Sequence, residues 1–194
     1  KANANPAYYD MNLQKLLSHR ARLINFKNGD EVFPIIEEYE EKIGDELKIS
    51  GKRYFLIKDI LKKDPLPVYE ECNDCYSNAG YIAAAMMLEK VSGSTWEELM
   101  MKLSNNLNLD LYIGWPVDLD SNQPKGHINP KYWNLDIEQD LVPISDQLQV
   151  YHNYNQSNLL TNPSGNISIT TENFLEYLQF YLDGINGKNN YLKS

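Results

Sequence analysis

Tyr76, Ser77 and Asn78 set a phenol, a hydroxyl and a carboxamide side by side, directly before AGYIAAAMML (79–88), a run that is apolar almost all the way round. These groups can serve function, by hydrogen-bonding a substrate and passing a proton. They can also serve structure, with the tyrosine packing a helix entrance and the asparagine capping free helix amides. Two other constellations carry weaker signals. Cys72 and Cys75 form a Cys-x-x-Cys, but there is no second pair for zinc and no strand-helix-strand pattern for thioredoxin-like exchange. Asp118, Asp120 and Asn122 alternate like the start of a calcium loop, yet Gln123 stands where the sharp-turn glycine belongs and Asn129 where the bidentate glutamate belongs. The sequence therefore assigns no metal ligand and no cofactor.

The elements around the triplet read as mainly helical. Leu13, Leu16, Leu17 and Leu23 recur at helical spacing across 12–23, and Asn28-Gly29-Asp30 reads as a turn. Residues 31–47 are acidic and interrupted by Pro34 and Gly44, and 53–62 is apolar on one side. Pro65 and Pro67 stop that run, so the triplet falls where an irregular segment meets a helix spanning about 79–91. Ser92-Gly93 ends this helix, and a capping box of Ser94 and Glu97 is expected to start the next, to about Asn105. Asn, Asp, Pro, Gly and Tyr dominate 108–165, which predicts an irregular excursion with room for a short hairpin. Beyond it, Thr170 or Thr171 caps a helix with Phe174, Leu175, Leu178, Tyr181 and Leu182 on one face until Gly184.

Composition narrows the partners. Eighteen Lys and Arg against 27 Asp and Glu give a net charge of −9, which repels phosphate backbones and anionic membranes and argues against nucleic acid. No run reaches the roughly 18 apolar residues of a membrane span. The opening KANANPAYYD lacks the apolar centre of a signal peptide, so any export signal is expected to be already absent. With 194 residues, 42% of them hydrophobic, the chain can bury a core as one domain: a helical core over 11–107, the insertion 108–165, and a closing strand and helix over 166–185.

YSNAGYIAAAMMLEKVSGSTWEELM (76–100) resembles the second motif region of the serine β-lactamase and penicillin-binding-protein superfamily, in its class C β-lactamase-like branch. NLQKLLSHRARL (12–23) is similar to the family's leucine-leucine-threonine-histidine segment, QPKGH (123–127) to its later cleft loop, and PSGNISITTENFLEYL (163–178) to its glycine-containing turn before a helix. In order and spacing the likeness spans roughly residues 11–185. It implies the helical lobe of the β-lactamase/DD-peptidase-like α+β fold. It also implies that Tyr76 takes part in proton transfer to and from a serine nucleophile, that Asn78 holds the substrate's amide, and that His127, Gly165 and Asn166 lie toward the cleft. His19 matches a family histidine of structural character, although Arg20-Ala21-Arg22 replace the family's threonine-serine-glycine.

A phenol of ordinary pKa, about 10, is a poor base at neutrality and needs a neighbouring ammonium. In the family that ammonium is the lysine of a Ser-x-x-Lys motif, faced by a Lys-Thr-Gly or His-Thr-Gly strand. Neither motif occurs here: no serine has lysine three positions on. The resemblance thus implies a lobe of a larger hydrolase, inactive alone, whose partner is the missing α/β portion and whose orphaned apolar face could otherwise be covered by a second copy. The implied substrate is a β-lactam, a D-alanyl peptide or an ester. An exported, periplasmic or envelope parent would let Cys72 and Cys75 oxidise and tether the loop before Tyr76; two free thiols are the other reading. The competing reading of the whole is a non-catalytic binding or interaction module descended from the same family.

Overall fold

The computed structural model describes residues 3–26, 38, 48–68, 71, 75–129, 141–143 and 160–188. The acidic stretch 31–47, apart from Glu38, lies outside them, as does Cys72. The described chain is mainly α, with two small antiparallel strand pairs.

Asn12 opens the first helix, α1 (Leu13–Leu17), by accepting the Lys15 amide on its side chain at 2.9 Å. The leucine spacing predicted a helix as far as Leu23, but α1 stops at Leu17. His19 (φ 57°) and Arg22 (φ 59°) take left-handed backbone, which a right-handed helix cannot continue. Leu23 and Phe26 still reach the core, through an extended segment. α2 (Ile49–Ile60) begins four residues earlier than its apolar run suggested and buries Arg53, Leu56, Ile57 and Ile60, one face at i, i+3, i+4, i+7.

α3 (Ala79–Ser92) is the helix the others pack on. Ala79, Ile82, Ala83, Ala84 and Ala85 are buried, and these short side chains let α1 and α2 approach closely. Gly80 marks the tightest point: a Cβ there would sit 2.6 Å from the Leu16 carbonyl oxygen. The expectation of a helix central to the core holds for its first half. Met87, Leu88 and Val91 are exposed, Val91 at 89%, so the far half reaches the surface. Gly93 ends it in the left-handed region at φ 72°, where a side chain is disfavoured.

α4 (Trp96–Leu107) starts with a capping box one residue later than expected. Thr95 Oγ1 accepts the Glu98 amide at 3.2 Å, and Glu98 Oε2 accepts the Thr95 amide at 2.8 Å. The Ser94–Glu97 pairing fails because Glu97 is engaged by Arg53 and the Ser94 amide donates to Ser92 Oγ.

The expected irregular insertion carries more order than its composition suggested. β1 (Leu111–Ile113) leads to a single turn, α5 (Pro116–Leu119), and β2 (His127–Ile128) pairs antiparallel with β3 (Val142–Pro143). A 3-10 turn at Asn162–Ser164 precedes β4 (Ile167–Ile169), which returns to pair with β1, Tyr112 opposite Ser168. The strand at Ile167–Ile169 falls in the expected closing strand and the His127–Ile128 pair in the stretch with room for a hairpin, while strands of two or three residues are too short to show a period of two that would fix their bounds. α6 (Thr171–Ile185) closes the described chain, capped by Thr170, whose hydroxyl accepts the Asn173 amide at 3.2 Å.

Candidate functional site

The segment entering α3 is fixed by its main chain. Ser77 forms a parallel bridge with Phe26, and the Asn78 amide donates to the Phe26 carbonyl at 2.9 Å. Strand-like alternation then sends successive side chains opposite ways. Ser77 turns inward and is buried, its hydroxyl donating to the Ile24 carbonyl at 2.7 Å. Tyr76 turns outward, 44% exposed, and its hydroxyl donates to Asn78 Oδ1 at 2.7 Å.

Asn78 occupies the N-cap position of α3, yet its side chain makes no capping hydrogen bond. Its carboxamide oxygen is taken by the phenol, and the backbone at φ −62°, ψ −25° is already helical, which removes the extended geometry an N-cap side chain needs. The capping reading of Asn78 therefore does not describe this structure. An amide group that accepts from the phenol through oxygen keeps two N–H donors on nitrogen.

His19 completes the corner. Its ring centroid lies 4.5 Å from that of Tyr76 and 5.6 Å from that of Tyr81, and its Nδ1 accepts the Ser77 amide at 3.4 Å. Tyr81 is held in turn by donating its hydroxyl to the Leu17 carbonyl at 3.1 Å. Cys75, one residue before Tyr76, is disulfide-bonded. The sequence has one other cysteine, Cys72, outside the described residues.

The remaining residues singled out in the sequence lie on other elements. His127 is exposed on β2, opposite Pro143. Gly126 beside it is required by space, since a Cβ there would fall 2.1 Å from the Trp115 ring. Gly165 follows the 3-10 turn, and Asn166 adopts left-handed backbone at φ 66°. Asn166 ties this turn together, its Nδ2 donating to Asn162 Oδ1 at 2.9 Å and its carbonyl accepting the Gly114 amide at 2.8 Å. Gln123 lines a cavity of about 210 Å³ with Asp110, Tyr112, Asp120, Ser168 and Thr170. Tyr76, Asn78, His127, Gly165 and Asn166 are not among the residues lining it. Asp120 spends one carboxylate oxygen on its own turn, accepting both the main-chain and side-chain nitrogens of Asn122.

A second polar cluster escaped the sequence reading. Arg53 is fully buried, with Nη1 3.2 Å from Glu89 Oε1 and 3.1 Å from Glu97 Oε2, Nη2 on Glu97 Oε1, and Nε donating to the Leu160 carbonyl at 3.2 Å. Glu89 Oε1 also accepts the Trp96 amide at 2.9 Å. Burial pushes the Glu97 carboxyl up, but the Arg53 hydrogen bond and charge outweigh it and hold the group below its ordinary value. The available signal was Arg53 at a core position of α2's apolar repeat, where an arginine must find partners.

The fold and site together define a mainly α protein with an exposed phenol–carboxamide pair at the mouth of a buried helix. No family profile matches the chain, and no curated protein or solved structure matches it either. Among the described residues no helix is long and apolar enough to cross a membrane.

Proposed function

We propose that this chain is the helical lobe of a β-lactamase-like serine hydrolase and supplies the Tyr-x-Asn side of its active site. The observation that carries the reading is the arrangement at 76–78: Tyr76 is exposed and hydrogen-bonded to the half-buried Asn78, Ser77 is locked inward, and Asn78 leaves the helix end uncapped. A tyrosine and an asparagine serving only as a helix entrance would bury the ring or spend the carboxamide on helix amides.

In the reaction, a serine from another part of the parent attacks the acyl carbonyl and passes its proton to the oxygen of Tyr76, whose phenolate form a lysine ammonium of the parent would stabilise. The acyl–nitrogen or acyl–oxygen bond breaks, the leaving group takes that proton, and water hydrolyses the acyl-serine. Asn78 donates its amide N–H to the acyl side of the substrate. A further feature supports a larger parent: Phe174, Leu175, Leu178, Tyr181, Leu182 and Ile185 form an apolar stripe on α6 that stands exposed. A contiguous apolar face of this kind is normally covered, and the remainder of the parent is the proposed cover.

The test begins with the coding sequence flanking this chain, read for Ser-x-x-Lys upstream and Lys-Thr-Gly or His-Thr-Gly downstream. The polypeptide that includes them is then assayed with nitrocefin, a fluorescent penicillin and p-nitrophenyl esters. Acylation of the Ser-x-x-Lys serine, with turnover of at least one of these substrates, is expected. The 194-residue chain alone is expected to give neither turnover nor adduct. Turnover by the isolated chain that disappears on mutating one of its own serines would sink the proposal.

A further inference from the structure

We propose that His19 is the positioning residue for Tyr76: its ring is the platform that sets the direction of the phenol, while its Nδ1 separately fastens the Ser77 main chain. The inference rests on the proposed function of Tyr76.

Three observations meet at this side chain. The first is backbone. His19 sits at φ 57°, a region that costs most residues energy and in which Asn, Asp and His are enriched, so the turn after α1 holds this residue in a conformation that histidine tolerates better than most. The second is the hydrogen bond. Nδ1 accepts the Ser77 amide, and a neutral ring that accepts at Nδ1 carries its proton on Nε2, so one face and one edge of the imidazole are committed. The third is ring contact. Tyr76 lies 4.5 Å away, centroid to centroid, at 35°, and Tyr81 lies 5.6 Å away at 49°. Tyr81 is anchored by its hydroxyl to the end of α1, so His19 links a fixed tyrosine on the helix to the exposed one before it.

Tyr76 needs such support. It is 44% exposed and precedes the helix, and its hydroxyl donates to Asn78 Oδ1. A phenol that must meet a reacting proton works only when its direction is fixed, and small misplacements of catalytic groups cost large factors in rate. The two jobs of His19 can be separated chemically. Asparagine tolerates left-handed backbone and places a carbonyl oxygen near the position of Nδ1, but it offers no aromatic ring. Alanine offers neither.

The experiment compares His19→Asn, His19→Ala and Tyr76→Phe. In the 194-residue chain, tyrosine-selective ¹³C labelling reports the ring resonances of Tyr76, assigned by their loss in Tyr76→Phe, and a thermal melt reports stability. In the longer polypeptide, kcat and KM are measured with a p-nitrophenyl ester or nitrocefin. Both His19 variants are expected to shift the Tyr76 ring resonances and lower kcat about tenfold or more with KM within about twofold, while His19→Asn recovers most of the melting temperature lost in His19→Ala. The inference is overturned if Tyr76 resonances stay in place in His19→Ala, or if His19→Asn restores kcat together with stability, because the ring would then be packing alone. A full-activity Tyr76→Phe overturns the proposed function instead, and leaves the ring-shift result to judge the contact by itself.

Discussion

The two ends of α3 carry polar clusters built on opposite terms. At its start, Tyr76 and Asn78 share one hydrogen bond at the surface and keep donors to spare. At its end, Glu89 joins Arg53 and Glu97 in a cluster whose guanidinium is sealed from water and bonded to two carboxylates and a carbonyl. Desolvating a charge is costly unless every hydrogen-bonding position is met, so the second cluster had to be complete to exist at all. The first is solvated and can stay incomplete, and unspent donors are what a substrate can use. The contrast teaches that the busier polar network is the structural one, and the sparser pair the candidate site.

The sharpest way to break this contrast is Tyr76→Phe. In the longer polypeptide it is expected to cut kcat by about 10²- to 10⁴-fold, the range for lost acid-base assistance, while the urea midpoint of the chain hardly moves. A stability loss without a rate loss would make the two clusters alike.

Arg53→Met should do the reverse. It strands Glu89 and Glu97 without their cation and is expected to cost about 3 to 5 kcal/mol in urea unfolding of the chain. The pH dependence sharpens the same point. Glu97 is held below its ordinary value of 4.5, so its contribution is complete above that value and is lost as pH falls through the lower folded-state value. The stability gap between the chain and its Glu97→Gln variant should therefore be constant from pH 7 to about 5 and shrink below about 4.5. A gap that widens with acid would refute the direction of the shift.

Gly80→Ala tests the packing that places both clusters on one helix. Its Cβ would meet the Leu16 carbonyl oxygen at 2.6 Å, a main-chain atom that cannot swing aside, and a loss of about 1 to 3 kcal/mol is expected in the same unfolding assay. The smallest effect is expected on α6. Leu178→Glu replaces an exposed side chain and should change the stability of the isolated chain by no more than about 0.5 kcal/mol. In the longer polypeptide the same substitution should lower the melting temperature clearly, since there the stripe is proposed to be covered.

Much of the helical framework was legible from local rules. Thr170 before the Phe174–Leu182 stripe marked the start of α6, and Ser92-Gly93 marked the end of α3, because caps and left-handed glycines act within one turn of chain. Other features lay beyond such rules. The leucine spacing through Leu23 looked helical, but left-handed backbone at His19 and Arg22 breaks it, and the chain beyond runs on to Phe26, which pairs with Ser77 some fifty residues on. The capping box slid from Ser94 to Thr95 because Glu97 was needed by Arg53.

The sequence by itself determined a mainly α chain, an acidic surface and a polar triplet at the mouth of an apolar helix, since periodicity, charge and order along the chain are local properties. Only the tertiary structure decided that Tyr76 is exposed and Ser77 buried, that the Asn78 side chain leaves the helix end uncapped, that the His19 ring lies against that of Tyr76 at a tilt, and that Arg53 is sealed among Glu89 and Glu97. The physical reason is the same in each case. A side chain's direction follows from main-chain hydrogen bonds and charge partners contributed by distant segments, and those meet only when the core of Leu16, Phe26, Ile57 and Ile82 closes.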